Sequence, residues 1–210
     1  MSEHAPDRAV PWTVHPTPDD GTRLCGDLPW DETARPSIDE PDDATYPAHQ
    51  QVIAQHLIDV HDALRGELAQ LRDLVGQVRR GLLSVGEARS SINTMTLRQN
   101  NWTLGAYCAS YCRIVNGHHT LEDTGIFPHL RRAEPEAAPV IDRLVEEHQV
   151  IHEVLERVDR ALVGLVGEPE PAGALDELEH TVDLLTDTLL SHLSYEEREL
   201  RGPLTRHGFY

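Results

Sequence analysis

Residues 118–128 read HHTLEDTGIFP, and the rest of the chain is organised around this stretch. His118 and Glu122 are four residues apart, so on an α-helix both side chains leave the same face, one turn apart. An imidazole nitrogen and a carboxylate oxygen that converge on one point suit a transition metal such as zinc or iron. The spacing therefore predicts a helix that carries part of a metal site.

Apolar residues recur at steps of three and four in four segments, and this period predicts four helices. The four apolar stripes run from Ile53 to Leu82, from Leu97 to Glu122, from Ile141 to Leu165 and from Leu175 to Glu196, and Gly202-Pro203 is expected to end the last helix. Helices joined by short connections favour an up-down-up-down arrangement. The predicted fold class is all-α, a four-helix bundle with an irregular N-terminal extension.

The stripe of the second helix favours His118 and Glu122 over the equally spaced pair His119 and Asp123. His118 continues the stripe that includes Val115, whereas His119 continues a line through a glycine and a cysteine. In the fourth helix the same argument favours Glu196 over its neighbour Glu197. Whether His119, Asp123 or Glu197 replaces one of the favoured residues stays open at this level.

Seven titratable residues fall on core-facing positions of the stripes: His61, His118, Glu122, His148, His152, His192 and Glu196. Burying one unpaired polar or charged group costs about 1–3 kcal/mol or more, while a whole domain is stable by only about 5–15 kcal/mol. A single inward histidine is usually a hydrogen-bonded core residue. Seven inward groups together predict a shared metal site.

The number and type of these groups constrain the metal. Seven ligands exceed the four of a tetrahedral zinc site, so two ions are expected. Histidine with carboxylate suits iron, and each glutamate is able to bridge both ions. Two six-coordinate irons offer about twelve positions, of which five histidines, two bridging glutamates and a bridging oxide or hydroxide fill about eleven. A small diatomic ligand or peroxide would bind at the remaining position.

The charge balance argues against several classes of partner. The 210 residues hold 36 acidic and 18 basic side chains, which gives a net charge of −18. This charge repels nucleic acid and anionic membranes, and no apolar run reaches the ~18 residues of a membrane span. Three cysteines do not form a disulfide framework, and the first residues do not resemble a secretory signal. A cytoplasmic protein is expected.

Residues 1–46 are rich in proline and acidic residues and show no sustained apolar period. We expect three parts: this extension at 1–46, the bundle at 47–204 and a short tail at 205–210. Two interpretations of the extension have equal weight. It is either a disordered acidic tail or a segment that docks on the bundle through apolar anchors, for which Trp12, Leu24, Leu28 and Trp30 are candidates.

The set of motifs resembles the hemerythrin-like (HHE cation-binding) proteins. The residues that carry the resemblance are His61, His118-x-x-x-Glu122 followed by Phe127-Pro128, His148-x-x-x-His152 and His192-x-x-x-Glu196, in that order over about residues 47–204. The resemblance implies a non-haem di-iron site held by five histidines and two bridging carboxylates. Oxygen-carrying hemerythrins place an aspartate five residues after the last histidine. Glu196 lies four after His192, as in the bacterial branch of the family, whose reported roles include oxygen or nitric oxide binding, peroxide breakdown and iron handling.

Three functions are compatible with these residues. The first is a di-iron protein that binds O2 or a related small ligand such as NO or peroxide for sensing, storage or delivery. The second is a di-iron redox enzyme of the oxidase or peroxidase type, which acts on peroxide or activates O2. The third is an interaction module in which residues 1–46 bind a protein partner and the metal site responds to redox state. The sequence ranks them in this order, with a small gap between the first two.

Overall fold

The computed structural model describes residues 14–26, 28–39, 46–82, 104–166 and 173–209. Its α-helices are α1 (Val52–Arg79), α2 (Leu104–Leu121), α3 (Phe127–Ala133), α4 (Ala138–Val166) and α5 (Ala174–His207). A π-helical segment, Glu122–Ile126, joins α2 to α3, and short 3-10 helices occupy Glu32–Ala34, Ala48–Gln50 and Pro135–Ala137. The described part of the chain contains no strand. The predicted all-α class and helical bundle are confirmed. The predicted start of the second helix lies outside the described residues.

Side-chain contacts show that neighbouring helices of the bundle run antiparallel. Between α1 and α5, His61 contacts Glu197 near one end and Arg79 contacts Glu179 near the other. The same reversal relates α4 to α5, because His148 meets His192 while Arg157 pairs with Glu177. α2 also runs against α4, where Asn116 meets His152 and Asp123 meets His148. His61 and His118 therefore come together although 57 residues separate them in the chain.

Two apolar clusters fill the bundle and leave a polar layer between them. One contains the second half of α1, the middle of α2, the second half of α4 and the first half of α5, and Leu71, Leu162 and Leu189 are among its fully buried members. The other surrounds Phe127, Ile141 and Leu200 at the opposite end. Burial of this apolar surface is the main favourable contribution to folding. The polar layer between the clusters contains the candidate site.

The C-terminal end of α1 is a glycine turn that terminates the helix. Gly81 has a φ of +65°, a left-handed conformation that glycine adopts at little cost. Its N–H donates to the carbonyl of Val78, and the N–H of Leu82 donates to the carbonyl of Gln77. These two bonds form a Schellman motif. Leu82, expected at the end of the apolar stripe, is exposed.

The last helix is longer than the sequence predicts. It was expected to end at Gly202-Pro203 but continues through Pro203 to His207, so that prediction is wrong. Pro203 removes one backbone hydrogen bond, but the residues that follow it make contacts that stabilise the last turn of the helix. Leu204 is buried in the second apolar cluster, and Glu134 pairs with Arg206 and His207.

The described part of the N-terminal extension lies on the bundle, which favours the docking interpretation for residues 14–26 and 28–39. Val14 is buried in the second apolar cluster, and Trp30 packs against the first. Backbone N–H groups of Leu24 and Cys25 donate to the carboxylate of Asp187. Leu24 itself is exposed, and Trp12 lies outside the described residues. No described helix is long and apolar enough to cross a membrane.

Candidate metal centre

Four helices and the π-helical segment bring seven histidines and glutamates into the polar layer, in two groups. The His61 group consists of His61 from α1, His118 from α2, Glu122 from the π-helical segment and Glu196 from α5. The His148 group consists of His119 from α2, His148 from α4 and His192 from α5. Within each group one nitrogen or oxygen atom of every residue lies within 4.8 Å of the others. Each group therefore has the dimensions of a site for one cation.

The His61 group is compact. The Nε2 atoms of His61 and His118 are 2.9 Å apart. Oε1 of Glu122 lies 3.1 Å from Nε2 of His118, and Oε2 of Glu196 lies 3.6 Å from Nε2 of His61. His61, Glu122 and Glu196 are fully buried. Two imidazoles and two carboxylates thus converge on one small volume closed to solvent.

The His148 group contains imidazoles only. The Nε2 atoms of His148 and His192 are 3.1 Å apart. The ring of His119 stacks on that of His148, with centroids 3.9 Å apart and an interplanar angle of 8°. Nε2 of His119 is buried and has no hydrogen-bond partner among the described residues.

Two carboxylates lie between the groups and connect them. Oε1 of Glu122 faces His118, while its Oε2 lies 3.6 Å from Nε2 of His148. Oε2 of Glu196 lies 3.6 Å from Nε2 of His61 and 3.6 Å from Nε2 of His192. Each carboxylate therefore reaches both groups, which is the position that a bridge between two cations requires.

Three of the imidazoles are held from behind by carboxylates. Nδ1 of His61 lies 2.9 Å from Oε1 of Glu197. Nδ1 of His192 lies 3.1 Å from Oε2 of Glu147, and Nδ1 of His148 lies 2.8 Å from Oδ1 of Asp123. We call Asp123, Glu147 and Glu197 the outer carboxylates. A carboxylate behind Nδ1 fixes the proton on that nitrogen and leaves Nε2 as a lone pair, which is the usual arrangement behind a metal-binding histidine.

This proton arrangement creates a conflict that a cation resolves. When the rings of His148 and His192 each carry a single proton, on Nδ1, and donate it to an outer carboxylate, both Nε2 atoms present a lone pair, and these two atoms are 3.1 Å apart. Burial is the main reason why the pKa of His192 falls to about 4, so its imidazole is neutral at pH 7. Two facing lone pairs repel each other unless a positive charge lies between them. The donor set of the site fits a metal ion.

The electrostatics of the remaining groups lead to the same conclusion. Burial lowers the pKa of His61, His118 and His119, that of His118 to about 2. Burial also raises the pKa of Glu122 and that of Glu196, the latter to about 8. Within the described chain, no N–H or hydroxyl group donates a well-directed hydrogen bond to the four oxygens of these two carboxylates. Unpartnered buried oxygens are costly, and metal coordination would satisfy them.

Two of the outer carboxylates, Glu147 and Glu197, accept hydrogen bonds from arginines. Burial alone would raise the pKa of Glu147, but hydrogen bonds from His192 and Arg35 lower it to about 2. Burial of Glu197 is likewise outweighed by hydrogen bonds from His61, the backbone of Thr17 and Arg65, so the pKa of Glu197 is lowered. Both groups are therefore ionised at pH 7 and accept the Nδ1 protons.

The structure brings together six of the seven residues that the sequence favoured and leaves His152 apart. The His152 side chain is 55% exposed and lies near Asn116 and Glu156. The expectation that His152 faces the core is wrong, because the buried stripe of α4 runs through Ile151 and Leu155. His152 follows Ile151 by one residue, a rotation of about 100° around the helix.

His119 completes the set in place of His152. It is only 4% exposed, and it lies on the same helix face as Val115, four residues earlier. A helix packed inside a bundle buries a face at least ~100° wide, so adjacent residues such as 118 and 119 both reach the interior. The position of His119 four residues after the core residue Val115 was the sequence feature that indicated an inward side chain. The sequence indicated the outer carboxylate Glu147 less clearly, and only through its position directly before His148.

A pocket opens beside the His148 group. It lies between α2 and α4, has a volume of about 490 Å³, and its lining includes Asn116, His119, Asp123, His148 and His152. The two imidazoles of the site that line it belong to the His148 group. This side of the polar layer is therefore the one that faces an opening to solvent.

Fold and site define a helical-bundle protein with two groups of histidine and glutamate side chains in its interior, each of which could hold a metal ion. In agreement with this, the model of the Hemerythrin HHE cation binding domain family matches residues 52–202, more than half of the chain. The chain belongs to this family, and the resemblance seen in the sequence is confirmed. No curated protein and no solved structure matches the chain. Membership in the family supports binding of metal cations.

Proposed function

We propose that this chain is a non-haem di-iron protein that binds O2 or a related small ligand, such as NO or peroxide, for sensing, storage or delivery. The observation that carries the proposal is the pair of histidine groups joined by two buried carboxylates, which accept no well-directed hydrogen bond from an N–H or hydroxyl group of the described structure. Five imidazoles and two carboxylates suit two iron ions better than a single tetrahedral zinc.

The residues of the two groups would share the metals as follows. His61 and His118 would hold one iron; His119, His148 and His192 would hold the other, and Glu122 and Glu196 would bridge them. The bound irons would supply a redox-active pair with a position for an external ligand. The chain itself supplies fixed imidazole orientation through the outer carboxylates, and two apolar clusters that keep bulk water from the polar layer.

The pocket between α2 and α4 supports entry of a small ligand from the side of the His148 group. His148 and His119 lie at its inner end, while the exposed His152 lies near its mouth. A diatomic molecule needs only a narrow opening, so the described geometry favours O2, NO or peroxide over a bulky substrate.

The second candidate is a di-iron enzyme that disproportionates hydrogen peroxide to water and oxygen. The observation in its favour is the polarity of the same pocket, whose lining includes the ionisable side chains of Asp123, His152 and Glu153. Proton donors and acceptors near a redox metal serve turnover more than simple binding. Repeated consumption of peroxide by the iron-loaded protein would favour this candidate over reversible ligand binding.

Optical titration of the reduced, iron-loaded protein tests the proposal. Exposure to O2 should produce a visible band that disappears when oxygen is removed and returns on re-exposure. His192→Ala should abolish the band, and the exposed His56→Ala should keep it as the matched histidine control. A wild-type protein with no optical response to O2, NO or peroxide would contradict the proposed function.

A further inference from the structure

The docked N-terminal segment, residues 14–26 and 28–39, contacts the carboxylates behind the metal centre at two separate places. At the first, the backbone N–H of Thr17 donates to Oε2 of Glu197 over 2.7 Å. At the second, the guanidinium of Arg35 donates to both oxygens of Glu147, over 2.8 and 2.9 Å. Glu197 and Glu147 are the outer carboxylates that hold His61 and His192.

The two sets of hydrogen bonds, one around Glu197 and one around Glu147, are arranged in the same way. Besides the Nδ1–H of His61, Glu197 receives one donor from the bundle, Arg65, and one from the N-terminal segment, Thr17. Glu147 likewise receives Arg143 from its own helix and Arg35 from the segment. In each case a carboxylate is fixed from the bundle side and from the segment side. Glu197 contacts His61 of the His61 group, and Glu147 contacts His192 of the His148 group. The segment therefore supports both groups of the site.

The contact between Arg35 and Glu147 is largely shielded from solvent. The side chain of Arg35 is 6% exposed and that of Glu147 is 1% exposed. The guanidinium of Arg35 also lies over the ring of Tyr195, 4.5 Å from its centroid, and the hydroxyl of Tyr195 donates to the carbonyl of Pro36. A charge-assisted, bidentate hydrogen bond of this kind is among the stronger side-chain contacts and fixes geometry as well as charge.

We propose that residues 14–26 and 28–39 are a built-in part of the metal centre, in which Thr17 positions His61 through Glu197 and Arg35 positions His192 through Glu147, so that metal retention depends on the docked segment. The inference rests on the proposed di-iron function. It concerns residues that lie before the family match at 52–202. Thr17 and Arg35 are positioning residues, because each acts on a proposed metal ligand through a carboxylate.

The experiment compares two pairs of full-length variants. Thr17→Pro removes the N–H donor, while Thr17→Ala keeps it and serves as its control. The flanking residues Pro16 and Pro18 already favour an extended backbone there. Arg35→Ala removes the guanidinium, and Arg23→Ala is its control, since Arg23 lies in the same segment but pairs with Asp19 and Glu32. Iron(II) affinity is measured by competition with a chelator, with thermal melting of the metal-free variants in parallel.

Thr17→Pro and Arg35→Ala should each weaken iron(II) binding about 10–100-fold, the range typical for partners behind a metal-binding histidine. Thr17→Ala and Arg23→Ala should bind like the wild type. If Arg35→Ala melts early, Arg35→Lys replaces it, since lysine keeps the charge but lacks the paired donors. Mild chelation should leave each affected variant with about one iron per chain, because each substitution weakens one half of the site.

Equal iron(II) affinity in all four variants, with two irons bound to the wild type, would overturn this inference and leave the proposed function standing. A fall in affinity that only follows a fall in metal-free melting temperature would also overturn it, because general destabilisation would then explain the loss. A wild type that binds no iron would overturn the proposed function and this inference together.

Discussion

Three of the five imidazoles in the two groups use their two nitrogens for different purposes. In His61, His148 and His192 the Nδ1 atom faces a carboxylate, and Nε2 faces the centre of the polar layer. This division fixes the tautomer and aims a lone pair at the place where the groups converge. A histidine buried only for packing needs no such arrangement, so the pattern supports a metal centre at the scale of single residues.

His119 and His152 provide a matched pair of substitutions. His119→Ala should reduce the iron content of the reconstituted protein, because the His148 group would lose one of its three imidazoles. His152→Ala should leave the iron content unchanged, since its exposed ring lies outside both groups. Metal analysis after gel filtration gives the answer. Loss of iron in His152→Ala with retention in His119→Ala would contradict the assignment.

At the scale of elements, the π-helical segment Glu122–Ile126 begins three residues after His119, the second of the two adjacent histidines of α2. Such segments insert a wider turn into a helix and often occur at functional sites. Here the segment contains Glu122, which faces both groups, and Asp123, which lies behind His148. These two neighbouring carboxylates therefore lie near opposite nitrogens of the same imidazole, that of His148.

The apolar clusters, rather than the polar layer, should stabilise the metal-free bundle. Leu189→Ala removes a fully buried side chain of the first cluster, and such truncations lower the free energy of unfolding by about 2–5 kcal/mol. Val163→Ala is the control, because Val163 is 63% exposed, and its effect should stay within about 0.5 kcal/mol. Urea unfolding of the metal-free variants measures both. Equal stability of the two variants would show that the clusters do not hold the bundle.

The spacing of apolar residues predicted the helices and most of the core-facing histidines and glutamates. It could do so because the residues on the buried face of a helix recur at steps of three and four in the sequence. The choice between neighbours such as His119 and His118 depends on how wide that face is, which the partner helices decide. Likewise, His152 was misplaced because Ile151 takes the inward position on α4. The contacts of Thr17 and Arg35 join residues 180 and 112 positions apart, and no local pattern predicts such pairs.

At the scale of the whole molecule, the polar layer makes the stability of the metal-free protein depend on pH. The pKa of Glu196 is raised by burial to about 8 in the folded protein, against an ordinary value of 4.5, and the pKa of Glu122 is raised as well. The folded state therefore keeps protons that the unfolded state releases. Because the unfolded state then binds fewer protons, the free energy of unfolding falls as pH rises.

The melting temperature of the metal-free protein should accordingly fall between about pH 6.5 and pH 8. The lower limit is the ordinary pKa of histidine, 6.5, above which most histidines of the unfolded chain have lost their proton, as His192 has in the folded protein. The upper limit is the pKa of Glu196. Differential scanning calorimetry at constant ionic strength measures the slope. Glu196→Gln should flatten it, because glutamine does not titrate. A wild-type melting temperature that rises over this range would contradict the proton assignment.

The most direct measurement is the iron content of the full-length protein after anaerobic reconstitution with iron(II), removal of unbound metal and quantification per chain. Two irons per chain are expected, together with an optical spectrum of the oxidised protein that changes when azide is added. Fewer than about one iron per chain, or iron that azide does not affect, would contradict a di-iron centre.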